Sequence, residues 1–186
     1  RRMQLQTRRT EEFSAAELVE IRALVDASFA TADDPGFEDT DWEHALGGVH
    51  AVLVHDGRFV AHASVVPRTL HIGVPGDSLA WRAGFVEAVC SDPSFAGQGL
   101  GTQVMTALGD VVRAEYDLGG LSTASAHFYE RLGWSVWLGP TYVVRAGAWD
   151  RSQGDDGGVL VLRHGPSADV DLSAAIACEE RNGEDW

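Results

Sequence analysis

The segment Cys90-Ser91-Asp92-Pro93-Ser94-Phe95-Ala96-Gly97-Gln98-Gly99-Leu100-Gly101-Thr102 constrains this chain more than any other. An apolar run, Ala83 to Cys90, precedes it, and a run with helical spacing, Leu100 to Val112, follows it. A strand, a glycine turn and a helix must therefore succeed one another without a linker. Gly97, Gly99 and Gly101 let the backbone turn tightly and aim successive N–H groups one way. The helix start adds the positive end of its dipole. Such a turn can hold a diphosphate. Glu87 lies just upstream on the strand-like run. A diphosphate ligand beside a carboxylate points to group transfer onto a nucleophile.

Two better-known glycine loops do not fit. A P-loop needs Gly-Lys-Ser or Gly-Lys-Thr at the helix start, and no lysine stands there. A dinucleotide fingerprint needs a later glycine, where this chain has Thr102. Nucleotide hydrolysis and hydride transfer both lose ground.

The rest of the chain reads as α+β. Gln4 to Arg8 is a candidate first strand. Ser14 and Glu17 form a capping box before a helix with Leu18, Ile21, Leu24, Val25 and Phe29 on one face. A loop is expected over Thr31 to Phe37, then a short helix capped by Thr40 or Asp41 and running to Leu46. Val49–Val54 and Phe59–Leu70 read as strands joined by an Asp56-Gly57 hairpin turn. Pro75-Gly76-Asp77 marks a second hairpin, with Ala80–Cys90 returning. After the glycine loop come a short strand at Gly119–Ser122, a helix at Ser125–Leu132 and a strand at Trp134–Val144 broken by Gly139-Pro140. An acidic loop is expected at Gly147–Gly158, a strand at Val159–Leu162 and a short helix at Leu172–Glu180. No linker or repeat divides residues 1–186, so one domain is expected. Its sheet should be mostly antiparallel and should split after the glycine loop.

Charge narrows the partners. Fourteen bases against 28 acids give a formal net charge of −14. Nucleic acids and anionic membranes bind basic patches, so neither is expected as a partner, whereas a cationic amine suits the sign. Two cysteines are too few for a disulfide framework. With no leader-like or membrane-length apolar run, a cytoplasmic location is expected.

Gly97-Gln98-Gly99-Leu100-Gly101 after an apolar strand resembles the acyl-CoA pyrophosphate loop of the GNAT acetyltransferases. Ala126-His127-Phe128-Tyr129-Glu130-Arg131-Leu132-Gly133-Trp134 resembles the second signature of that superfamily. Thr40-Asp41-Trp42-Glu43-His44-Ala45-Leu46-Gly47-Gly48-Val49-His50-Ala51 narrows the likeness further. So do Gly84-Phe85-Val86-Glu87-Ala88-Val89, the Asp155-Asp156-Gly157 turn and the terminal Trp186. Together they are similar to aminoglycoside 2′-N-acetyltransferases of the actinobacterial type, from about Arg9 to Trp186. The resemblance implies a GNAT fold, with a mixed, mostly antiparallel sheet splayed at the acyl-CoA site and flanked by helices. It implies acetyl-CoA as co-substrate, a cationic aminoglycoside as acceptor, direct transfer in a ternary complex, antibiotic resistance and a homodimer. One departure concerns Ala96, where the superfamily usually carries Arg or Gln.

The same resemblance assigns roles. An ammonium has no lone pair, so the acceptor must lose a proton before attack, and Glu87 is the candidate base. Tyr129 is the candidate acid for the leaving thiolate. With an ordinary phenol near 10 and thiol near 8.5, full transfer is uphill by only about 2 kcal/mol. The N–H of Val89 is the candidate donor to the thioester oxygen, provided a bulge frees it. Val89, Gly97, Gln98, Gly99, Leu100, Gly101 and Thr102 are the expected coenzyme A contacts. Asp41, Glu87, Ser122, Asp155, Glu184 and Trp186, the last through its α-carboxylate, are the expected acceptor contacts. Glu184 departs from the aspartate expected two residues before the terminal tryptophan, and Asp185 is the candidate replacement.

Other chemistry finds little support. His50, His55 and His62 sit on adjacent predicted strands but lack zinc-ligand spacing, and no metal is expected. No Gly-x-Ser-x-Gly elbow is present. Cys90 reads as a small packing group rather than an acyl carrier. Two rival readings stay open. One is a GNAT enzyme for another amine, such as a polyamine, a kasugamycin-like sugar or a peptide N-terminus. The other is a coenzyme A-binding module without turnover.

Overall fold

A computed structural model describes residues 2–30 and 36–186. Most of the loop expected at Thr31 to Phe37 lies outside them. The chain divides into two compact units: residues 1–66 with 86–111, and residues 67–85 with 112–186.

In the first unit, β1 (Gln4–Arg9) pairs antiparallel with β2 (Val49–His55), from Gln4↔Val54 to Arg9↔Val49. β2 turns into β3 (Arg58–Val74), whose first half belongs here. Asp56 and Gly57 both take positive φ, 51° and 75°, as a two-residue hairpin turn requires. The register then slips at Leu53/Val54. Val54 faces Phe59 but Leu53 faces Ala61, so Val60 is an extra residue in β3. Its carbonyl accepts the N–H of Asp92 at 2.8 Å.

α1 (Ala15–Phe29) starts at the expected capping box: Ser14 Oγ accepts the Glu17 N–H at 3.1 Å, and Glu17 Oε1 accepts the Ser14 N–H at 2.9 Å. Ile21 and Val25 are fully buried with Phe13, Ala45, Val52, Ala88 and Cys90. α2 (Asp39–His44) begins earlier than expected. Its cap is Glu38, and Asp41 is the residue whose Oδ2 accepts the Glu38 N–H at 2.9 Å. A carboxylate three positions inside the helix reaches back as readily as a cap reaches forward. The unit also holds the end of β4 (Asp77–Ser91), a 3-10 turn at Pro93–Phe95 and most of α3 (Leu100–Glu115).

In the second unit, β4 pairs in parallel with β5 (Leu118–Ser122). That ladder has three pairs, Ala83↔Leu118 to Phe85↔Gly120, and stops there. After α4 (Ala126–Glu130) come β6 (Ser135–Val136), β7 (Thr141–Arg145) and β8 (Ala148–Arg151). β9 (Val159–Arg163) is antiparallel to β5 and β6. Trp137, Phe85, Leu70 and Leu118 are among the fully buried side chains of this unit.

Two expectations fail. The acidic segment Gly147–Gly158 is not all loop, because Ala148–Arg151 forms β8 against β7 and Gln153–Asp155 forms a 3-10 turn. Leu172–Glu180 is not a helix. Ile176–Glu179 forms β10, antiparallel to β3 and parallel to β7. Ile176, Ala177 and Cys178 are all buried in it, and a short apolar run has no period that separates strand from helix.

Candidate active site

The strand carrying Glu87 breaks at the next residue. Ala88 has φ +52° inside β4, a left-handed conformation that an alanine rarely adopts. Glu87 and Val89 therefore flank an irregularity rather than sit in a continuous pleat. Both are half-buried, while Ala88 is buried. The carbonyl of Ala88 accepts a hydrogen bond from His62 Nδ1 at 2.8 Å. This left-handed residue, which sequence alone could not reveal, lies next to the candidate base.

The glycine loop of the same unit has the conformation its residues imply. Gly97 and Gly99 have φ of 78° and 74°. A Cβ at either would meet no atom within 4 Å, so the space above the turn is open. The Gln98 N–H is used to close the turn on the Phe95 carbonyl, at 3.2 Å. Among the described residues, the amides of Gly99, Leu100, Gly101 and Thr102 make no backbone hydrogen bond. These are the orphan donors of a helix start, and they suit a pyrophosphate. Leu100 is buried and anchors the turn, whereas Ala96 is exposed. Asp41 is half-buried, with one carboxylate oxygen bound to the α2 start.

The second unit holds the remaining candidates. Tyr129 is 9% exposed, and burial pushes its phenol up to about 12. Ser122 is exposed at the end of β5, whose next residue donates its N–H to the Gly158 carbonyl at 2.9 Å. Gly158 in turn donates to the Asp155 carbonyl at 3.0 Å, tying the Asp155 turn to that end of β5. Burial raises the Asp155 carboxyl, and repulsion from Glu184, Asp185 and Asp156 adds to it against a hydrogen bond from Ser152. Asp155 and Glu184 thus lie within electrostatic reach of each other, as an acceptor with several ammonium groups would need.

Asp185, the candidate replacement for the missing aspartate, has partners within its own unit. Its carboxylate meets Arg145 at 2.6 Å and accepts the Arg181 N–H at 3.0 Å, which fastens the tail. Trp186 is 7% exposed, with its ring 6.3 Å from Phe85. Its indole N–H is buried and has no hydrogen-bond partner among the described residues. The sequence also gave no sign that Asp156 would be clamped. Arg151 holds it at one side and Thr141 at the other, and Arg151 first of all keeps its carboxyl far below the usual range.

Other candidates resolve simply. Cys90 is buried and its thiol is pushed up to about 12 by that burial, which suits packing and not acyl carriage. No group of three metal-ligating side chains occurs among the described residues. Among the described residues, no helix is long and apolar enough to cross a membrane.

A family model described as "Acetyltransferase (GNAT) domain" matches residues 9–137. The aminoglycoside 2′-N-acetyltransferase of Mycolicibacterium fortuitum is 44% identical over 155 residues, covering 81% of this chain and 77% of that protein. Among solved structures, a GNAT family N-acetyltransferase from Escherichia coli in complex with CoA aligns with a TM-score of 0.65. It is 18% identical, over 98% of this chain and 94% of that one. A protein from Enterococcus faecalis described as a probable N-acyltransferase aligns with a TM-score of 0.57 and 18% identity. The match covers 74% of this chain, which spans only about a third (33%) of that longer one.

Proposed function

The chain belongs to the GNAT acetyltransferases, and from that premise we propose that it moves the acetyl group of acetyl-CoA to the 2′-amine of an aminoglycoside by direct attack. The observation that carries this choice of acceptor is the 44% identity to an aminoglycoside 2′-N-acetyltransferase over 81% of the chain. Acetyl-CoA, when bound, supplies the activated thioester. The chain's own residues do the rest. The open turn and orphan amides of Gly99, Leu100, Gly101 and Thr102 receive the pyrophosphate, and the exposed Gln98 side chain lies beside it. Ala96 adds no Arg or Gln side chain to that grip, which rests chiefly on backbone amides. The Val89 N–H donates to the thioester oxygen. Glu87 takes the proton from the attacking nitrogen, directly or through water. Asp41, Ser122, Asp155, Glu184 and the Trp186 carboxylate receive the ammonium and hydroxyl groups of the acceptor.

Tyr129 needs a revised role. With its phenol near 12, full proton transfer to an ordinary thiolate is uphill by roughly 5 kcal/mol. It serves better as a hydrogen-bond donor to the departing sulfur than as a complete acid.

Thiol release from acetyl-CoA tests the proposal. Kanamycin B carries a 2′-amine and kanamycin A a hydroxyl at that position. Release is expected with the first and little with the second. Equal turnover of both would overturn the regiochemistry. No turnover with any amine would overturn catalysis and favour a coenzyme A-binding module. We further propose that two copies associate, that the enzyme works in the cytoplasm and that it protects its host from the drug. Exposed Val74 and Leu79, at 60% and 68%, flank the turn between β3 and β4 and suit a protein contact. Sedimentation velocity and drug susceptibility of an expressing host test these points.

A further inference from the structure

Two histidines that neither the base nor the acceptor contacts use form one continuous chain with the strand break. Thr10 Oγ1 lies 2.7 Å from His50 Nε2, His50 Nδ1 lies 2.8 Å from His62 Nε2, and His62 Nδ1 lies 2.8 Å from the Ala88 carbonyl. Both imidazoles are wholly buried. At the outer end, the Gly47 N–H donates to Thr10 Oγ1 at 2.9 Å.

The chain has only one consistent direction. A carbonyl can only accept, so His62 carries its proton on Nδ1 and presents a bare Nε2. His50 must then donate from Nδ1 and accept at Nε2, and the Thr10 hydroxyl must donate to it. Every donor points toward Ala88. Burial first of all lowers both rings, His50 to about 3 and His62 to about 4, so both are neutral at neutral pH as this order demands.

The end point gives the chain its meaning. A left-handed residue turns its carbonyl out of the regular ladder, and a buried carbonyl there needs a partner. The Ala88 carbonyl and the Val89 N–H belong to the same peptide group. A hydrogen bond to the oxygen polarises that group and makes its N–H a stronger donor, and a chain of such bonds strengthens each member. A satisfied core histidine needs one acceptor and one donor, and nothing requires these partners to line up through a second ring. Two neutral rings aligned in one sense onto the peptide of the strand break do more than fill space.

We propose that Thr10, His50 and His62 are a positioning relay that holds the Ala88–Val89 peptide in its broken-strand conformation and polarises the Val89 N–H toward the thioester oxygen. This rests on the acetyl-transfer reading, which assigns that N–H to the thioester. His62 acts through the peptide and His50 acts through His62, to whose Nε2 it donates.

The test combines kinetics with spectra of the ligand-free chain. Nitrogen-15 imidazole spectra of the wild type are expected to show both rings as neutral Nδ1–H tautomers. In His62→Leu, kcat is expected to fall by about tenfold or more. The KM for the amine should stay nearly constant, and the Val89 amide proton should shift upfield. His62→Asn keeps a donor near the Nδ1 position, and is expected to recover most of the rate and of the amide shift. His50→Leu removes the donor to His62 Nε2, which weakens the polarisation of its Nδ1–H, and should reproduce part of the loss, which keeps the test open if His62→Leu fails to fold. An Nε2–H tautomer at His62 would overturn the relay. So would a folded His62→Leu protein with wild-type kcat and an unmoved Val89 amide. A wild-type chain that transferred no acetyl group would overturn the underlying reading instead.

Discussion

Ala88 sits in the left-handed region at φ +52°, where a Cβ is costly by about 1–2 kcal/mol. Ala88→Gly removes that strain but also a buried methyl group worth about 0.8 kcal/mol, so its urea stability should stay within about 1 kcal/mol of wild type. Ala88→Val places a branched Cβ in the same conformation and should lose about 2 kcal/mol. Equal stability of all three would show that the break is not held in solution. The neighbouring carboxylate makes a separate prediction. Glu87→Gln should reduce kcat at neutral pH by about 100-fold and remove the rise of rate with pH. A pH profile identical to wild type would remove Glu87 as the base.

Among elements, the hairpin of β2 and β3 matters most, because its extra residue decides which side chains meet. Without the slip at Val60, His50 would face Ala63, and His62 would fall on the opposite face. With it, Val52 faces His62 and His50 faces Ser64, so both rings share one side and lie in hydrogen-bond contact. Their burial has a consequence for stability. An unfolded histidine takes up protons below about 6.5, but the folded rings resist until about 3 for His50 and about 4 for His62. The unfolded state therefore binds more protons across this window, and stability must fall as pH drops from about 6.5 toward 4. The urea midpoint should fall across that range in wild type, and more gently in His50→Leu. A flat midpoint would contradict neutral burial. Glu17 lies outside this window: the Arg8 hydrogen bond lowers it to about 2, so its contribution disappears only as pH falls below about 4.5. These details also mark what sequence could say. The glycine loop, the Ser14–Glu17 box and the Asp56-Gly57 turn were legible because each is a local rule. The Val60 slip, the Ala88 break and β10 were not, because pairing with distant strands decides them. The site followed the same division. Glu87 and the glycines could be named as candidates, but the Thr10–His50–His62 contacts, the Arg145 hold on Asp185 and the Arg151 clamp on Asp156 needed the fold.

At the scale of the whole molecule, the proposed recognition of a cationic acceptor makes a prediction about charge. A net charge of −14 draws a polycation in, and salt screens that attraction. Raising salt from about 50 to about 500 mM should increase the KM for a polycationic drug several-fold while kcat changes little. A KM independent of salt would show that charge does not guide recognition. All 14 basic side chains are arginines, so no lysine amine of the chain competes for acetyl groups. Acetyl transfer to the drug can therefore be measured without lysine self-acetylation. The most direct test of the account is the position of the acetyl group in the product formed from kanamycin B, read by two-dimensional NMR. A single acetyl group on the 2′ nitrogen is predicted; acetylation of any other amine, or no product, would contradict it.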